Sequence, residues 1–135
     1  CDALVLTCMD FRFKSQSRLF VREHMGIKTY DSVSVPGACW YINHGGDNGL
    51  LLKSMALAVE LHNVSKIILI NHEDCKTYDG SARFSGDREA EFSFHAEELR
   101  AARRKVKDAV KVDHVLLAYA RMLKDTDMLE YLIVT

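Results

Sequence analysis

The sequence has almost no net charge, one proline, one tryptophan and no long apolar run. Eighteen basic against nineteen acidic residues leave a formal charge of -1, which gives no electrostatic pull towards nucleic acid or an anionic membrane. No apolar stretch reaches the length of a membrane span, and no segment has the layout of a signal peptide. Neither nucleic acid nor a membrane is therefore expected as a partner. The chain starts at Cys1 rather than Met, so it reads as trimmed ahead of that residue. Repeats, linkers and low-complexity tracts are also missing, and 135 residues suffice for one domain, 1–135, with its own core. Four cysteines in such a chain do not make a disulfide framework. They read as metal ligands or free thiols in a reducing compartment, the cytoplasm by default.

What is present alternates between strand and helix. Ala3 to Thr7 forms an apolar strand, and Ser15 to Met25 reads as a helix stopped by Gly26. Tyr30 to Val35 reads as a second strand closed by Pro36-Gly37. Asp47 or Asn48 caps a helix to about His62, with Leu50, Leu57 and Leu61 beside Leu51, Met55 and Ala58 as a wide apolar face. A third strand runs from Lys66 to Asn71, and a turn-rich loop, Lys76 to Asp87, follows its end. The longest helix spans Arg88 to Ala109, with Phe92, His95, Leu99, Ala102, Val106 and Ala109 as its stripe. Asp113 to Met122 and Met128 to Val134, joined by a four-residue turn, make an antiparallel hairpin. The expected fold is α/β and three-layered: a mostly parallel sheet flanked by helices on both faces, with an antiparallel C-terminal edge hairpin.

Two motifs stand at the ends of apolar strands: Cys8-Met9-Asp10-Phe11-Arg12 and His72-Glu73-Asp74-Cys75. Together they offer two thiolates, an imidazole and a carboxylate, the donor types zinc prefers in a tetrahedral site. In open parallel sheets, ligands bind beyond the carboxyl ends of the strands, where the strand order reverses. Neighbouring first and third strands would bring Cys8, Asp10, His72 and Cys75 to one point. Each motif alone is common; both at strand ends, in this order, form a strong signal.

These motifs resemble those of the β-class carbonic anhydrases, whose signature is C-x-D-x-R after the first strand and H-x-x-C after the third. The resemblance covers most of the chain. It implies Zn2+ held by Cys8, His72 and Cys75, with water or the Asp10 carboxylate as fourth ligand. It implies catalytic roles for Asp10 and Arg12, paired with each other when the site is open, and better activity at alkaline pH. The implied reaction is reversible hydration of carbon dioxide to bicarbonate, in a homodimer. A non-catalytic zinc protein, closed by Asp10 or Cys39, is the alternative; hydrolysis of another small linear substrate, such as carbonyl sulfide or carbon disulfide, is a related one. A thiol-redox role for Cys8 and Cys75 ranks third. Two departures from the family pattern are Lys76, where glycine is usual, and Val35-Pro36-Gly37-Ala38, where Arg-Asn-Ala-Gly is common. The N-terminal helices that many members use for dimerisation are absent from these residues.

Other features have plainer meanings. Cys39 reads as a spare buried thiol beside Trp40, and His95 as a packed histidine on its helix stripe. His24, His44, His62 and His114 lie near element ends and read as solvated. Gly45-Gly46-Asp47-Asn48-Gly49 lacks the glycine before Lys53 that a phosphate loop needs, so it reads as a turn with a helix cap. The basic run from Arg100 to Lys107 follows Glu97 and Glu98 at helical spacing and reads as a solvated face.

Overall fold

The computed structural model describes residues 1–135. Five strands form one sheet: β1 (Ala3–Cys8), β2 (Tyr30–Val35), β3 (Lys66–His72), β4 (His114–Met122) and β5 (Leu129–Val134). Their order is β2-β1-β3-β4-β5; all pairs are parallel except β4 with β5, which is antiparallel. This is the mostly parallel sheet with an antiparallel edge that the sequence pattern leads one to expect. The chain runs outward from β1 to β2, then crosses back to β3 on the other side of β1. The strand order therefore reverses between β1 and β3, which opens a crevice at their carboxyl ends.

Side-chain alternation sorts the two faces. Leu4, Leu6, Ile67, Leu69, Val115 and Leu117 face the larger core. The cover on that side is α2 (Trp40–His44), α3 (Leu50–His62) and α4 (Arg88–Ala109). Ala3, Val5, Ile68, Ile70 and Ala118 face a smaller cluster with Phe20 and Val21, carried by the π-helical turn Phe20–His24 that continues α1 (Phe11–Leu19), and with Ile27 just after it. This second layer is thin, and Ser32 and Ser34 of the edge strand β2 remain exposed.

Several boundaries differ from the sequence pattern for local reasons. The first helix begins at Phe11, not Ser15, because the Asp10 carboxylate accepts the Arg12 N–H and caps it inside the motif. That helix gives way to the π-helical turn after Leu19, and Gly26 then takes the left-handed φ of +68° that ends the run. Asp47 does cap α3, its carboxylate accepting the Gly49 and Leu51 N–H groups. Only half of the expected apolar face of α3 is used: Leu51, Met55 and Ala58 are buried, whereas Leu50, Leu57 and Leu61 are exposed. The short helix α2 escapes the sequence reading because five residues are too few to show a period. On α4 the stripe shifts at both ends. Glu91 is buried while Phe92, the expected first residue of the stripe, is only partly buried, and Ala109 is exposed while Val110 is buried.

Candidate metal centre

β1 ends at Cys8 and β3 at His72, and the turn after His72 returns Cys75 to the same point. The ligand atoms of Cys8, His72 and Cys75 all lie within 4.8 Å of one another, and all three residues are buried. Cys39, also buried, is outside this group. Its N–H donates to the Asn71 carboxamide oxygen at 3.3 Å, and burial pushes its thiol pKa far up.

The imidazole of His72 is set for coordination. Its Nδ1–H donates to the Glu73 carbonyl at 2.7 Å, which leaves the lone pair on Nε2. That nitrogen is buried and has no hydrogen-bond partner. A ligating histidine commonly anchors its other ring nitrogen in this way. The ring is clamped further by Phe13 of α1, stacked at 4.2 Å between centroids. An orphaned imidazole nitrogen facing two sulfurs fits a divalent ion such as zinc, which favours mixed nitrogen and sulfur donors.

The two buried sulfurs lie side by side and influence each other. The neighbouring Cys75 thiol is the main influence holding the Cys8 thiol pKa down, with His72 and the Gly37 N–H assisting against burial. Cys75 shifts in the opposite direction, because the Cys8 thiolate beside it and burial both disfavour a second negative charge. Gly37 contributes its N–H to Cys8 Sγ at 3.4 Å from a left-handed φ of +75°. A Cβ there would stand 2.7 Å from Thr77 Cγ2 and 2.9 Å from Trp40 Cβ, so only glycine fits this approach.

Beside the cluster, Asp10 faces Arg12. The guanidinium donates from Nε to both carboxylate oxygens at 3.0 and 3.1 Å, and from Nη2 to Oδ2 at 2.7 Å. These bonds keep the Asp10 pKa below the usual carboxylate range. Oδ2 of Asp10 lies 4.0 Å from Nε2 of His72, so the carboxylate borders the three candidate ligands while remaining bound to Arg12.

Arg12 is itself held by a residue that the sequence pattern did not single out. Asp74 receives Nη1 on Oδ2 and Nη2 on its carbonyl, both at 3.1 Å. Its backbone takes a left-handed φ of +58°, a conformation aspartate tolerates better than most residues. The Asp74 N–H donates to buried Glu91 at 2.7 Å, and the other Glu91 oxygen accepts the Ser81 hydroxyl at 2.8 Å. Burial raises the Asp74 pKa, but the Ser81 N–H, Lys76 and Arg12 outweigh it and bring the value to about 2. Glu73, the remaining motif residue, receives Arg88 Nε at 2.8 Å and the Met122 N–H at 3.3 Å, tying the end of β3 to α4 and β4.

The loop from Lys76 to Asp87 is two short 3-10 turns, Lys76–Tyr78 and Ser81–Phe84, pinned to this network. Tyr78 is buried against His95, and Lys76 points outward with its ammonium on Asp74 Oδ1 at 3.1 Å. His95 is a packed histidine, as its stripe position suggests, fully buried against Tyr119 and bonded to Asn71 at 3.1 Å. His24 and His114 are exposed, as are His44 and His62, but His44 lies 3.3 Å from Glu98 Oε2 and against Trp40, and His62 is paired with Asp31 at 2.7 Å, so neither is merely solvated. Among the residues missed, Glu91 left a trace: it lies four positions before His95 on the α4 stripe, a carboxylate where the period calls for an apolar group.

The fold is shared with solved carbonic anhydrases. A β-carbonic anhydrase isoform of Trichomonas vaginalis superposes with a TM-score of 0.56 at 15% identity, covering 98% of this chain and 82% of that one. A carbonic anhydrase of Glaciozyma antarctica gives a TM-score of 0.58 at 16% identity, covering 98% and 81%. In sequence, the chain is 28% identical over 116 residues to an uncharacterized protein of Rickettsia bellii and 26% identical to one of Rickettsia conorii. Those matches take in 79% of this chain and 68% and 60% of the two relatives' lengths. No helix is long and apolar enough to cross a membrane. A family model described as "Putative carbonic anhydrase" matches residues 1–122, nearly the whole sheet and both motifs, and the chain belongs to that family.

Proposed function

We propose that this chain is a zinc-dependent carbonic anhydrase that hydrates carbon dioxide to bicarbonate reversibly, with Cys8, His72 and Cys75 as the zinc ligands. The observation that carries the reading is the buried, unpartnered Nε2 of His72 facing two sulfurs, 4.0 Å from a carboxylate that Arg12 holds. When bound, zinc supplies the Lewis acidity that turns water into a nucleophile near neutral pH. The rest is the work of the chain's own groups. Arg12, fixed from behind by Asp74, keeps the Asp10 carboxylate ionised and turned away from full coordination. From there Asp10 accepts a hydrogen bond from the attacking oxygen and orients its lone pair towards carbon dioxide. Phe13 and the buried strand ends keep bulk water from the imidazole face. Asp10 is also the group able to close the site as a fourth ligand.

Within this reading, residues 1–135 act as one domain in the cytoplasm, and a second copy of the chain completes a homodimer. The test is stopped-flow carbon dioxide hydration by the zinc-loaded chain near pH 7 and pH 9, with Cys75→Ser as control. Activity that is higher at pH 9 and lost in Cys75→Ser is the expected result. Wild type no faster than the variant at either pH, with zinc bound, overturns the anhydrase reading in favour of a non-catalytic zinc protein or a hydrolase of carbonyl sulfide or carbon disulfide.

A further inference from the structure

At the opposite end of β1, a second set of unlike donors meets on the protein surface. Cys1 precedes β1, Asp31 lies in β2 and His62 is the last residue of α3. One ligand atom from each lies within 4.8 Å of the other two. Three segments separated by about 30 residues each deliver a thiol, a carboxylate and an imidazole to one point. At about 3.3 Å per residue, the length of β1 places it roughly 20 Å from Cys8, so the two clusters share no ligand.

We infer that Cys1, Asp31 and His62 form a second, surface site for a zinc-like divalent transition metal. The donor chemistry selects the class of ion. Thiolate plus imidazole suits zinc and its softer neighbours, whereas magnesium and calcium prefer all-oxygen shells. Thiolate and carboxylate together also match the charge of a divalent cation. Prior organisation is visible in the contacts. His62 Nδ1 and Asp31 Oδ2 are 2.7 Å apart, and the main-chain nitrogen of Cys1 donates to the His62 carbonyl at 2.9 Å. The neighbouring Asp2 carboxylate accepts the Lys28 and Thr29 N–H groups, fixing the start of β1 against the turn before β2.

The movement needed for binding is small. Zinc bonds of about 2.0 Å to nitrogen and oxygen and about 2.3 Å to sulfur, set tetrahedrally, separate donors by roughly 3.3 to 3.6 Å. The His62–Asp31 pair must open by about half an ångström, and the Cys1 sulfur must close by about 1.3 Å at most. All three residues are partly or fully exposed, so rotamer changes suffice. Three protein ligands leave the fourth position to solvent. The site is therefore weaker and faster to exchange than the buried cluster, and a metal there would tie the sheet edge to the end of α3.

The test counts zinc bound to the chain at equilibrium with a fixed concentration of free zinc, by equilibrium dialysis and elemental analysis, for wild type, Cys1→Ser, Asp31→Asn and His62→Ala. The expected result is a loss of one equivalent in Cys1→Ser and His62→Ala relative to wild type, whatever the occupancy of the buried cluster. Cobalt(II) gives a second reading. In Cys8→Ser/Cys75→Ser, shown folded by circular dichroism, a thiolate-to-cobalt charge-transfer band should persist and should vanish when Cys1→Ser is added. Equal zinc content in all four proteins overturns the inference and leaves His62–Asp31 as a plain ion pair. If the cobalt variant does not fold, the zinc count decides alone.

Discussion

His95 makes the stability of this protein depend on pH with a sign and size that follow from its surroundings. The Asn71 amide orientation is fixed because its oxygen accepts the Cys39 N–H, so its nitrogen donates to His95 Nδ1. Nδ1 must then carry a lone pair, and the ring is neutral with its proton on an unpartnered, buried Nε2. Burial first, then the electrostatic influence of neighbouring His72 and Arg83, brings its pKa from 6.5 down to about 3. The unfolded chain takes up a proton near pH 6.5 that the folded chain refuses until about pH 3. The stabilisation is therefore complete above pH 6.5 and is lost as the pH falls through the window between the two values. Inside that window the loss is about 1.4 kcal/mol per pH unit, or roughly 2 kcal/mol between pH 8 and pH 5. His95→Gln keeps an acceptor for Asn71 but cannot titrate. Urea unfolding at saturating zinc should find the variant less stable at pH 8, because the stack on Tyr119 is lost. By pH 5 that gap should shrink by roughly 2 kcal/mol. A gap that stays constant from pH 8 to pH 5 would refute a neutral, proton-refusing His95.

Two further outcomes follow from the site. Asp74→Ala frees one end of Arg12, costing about 1–2 kcal/mol of charge-assisted bonding. The kcat for carbon dioxide hydration should drop on the order of tenfold with zinc content unchanged, and Asp74→Asn, which suits the left-handed backbone, should recover part of it; equal kcat in all three would remove Asp74 from the clamp. Gly37→Ala forces a Cβ into Thr77 and Trp40 at a positive φ, and its thermal midpoint should fall by several degrees with weaker zinc retention in chelator competition; an unchanged midpoint would show that the turn can yield.

The sequence by itself determined the strands, the long helices and the meeting of the two motifs. Runs such as Ala3 to Thr7 and Lys66 to Asn71 have one stable use, as buried strands. Strand-helix alternation makes them parallel, and the short Lys124-Asp125-Thr126-Asp127 turn makes the last pair antiparallel. Given that, Cys8, His72 and Cys75 can converge only at the reversal of strand order. Local competition hid the helix start at Phe11, because Asp10 reads equally well as an active carboxylate and as a cap.

Tertiary structure alone decided what surrounds the cluster. Asp74 reaches Arg12 across 62 residues, Glu91 reaches Asp74 across 17, and no local period encodes either pairing. Apolar periodicity reports which side of an element is buried; it is silent on which polar group another element will present there. The same limit applies to the outer leucines of α3, which read as core yet stand exposed. It applies as well to Cys1, Asp31 and His62, whose proximity exists only because β1, β2 and the end of α3 share one edge of the fold.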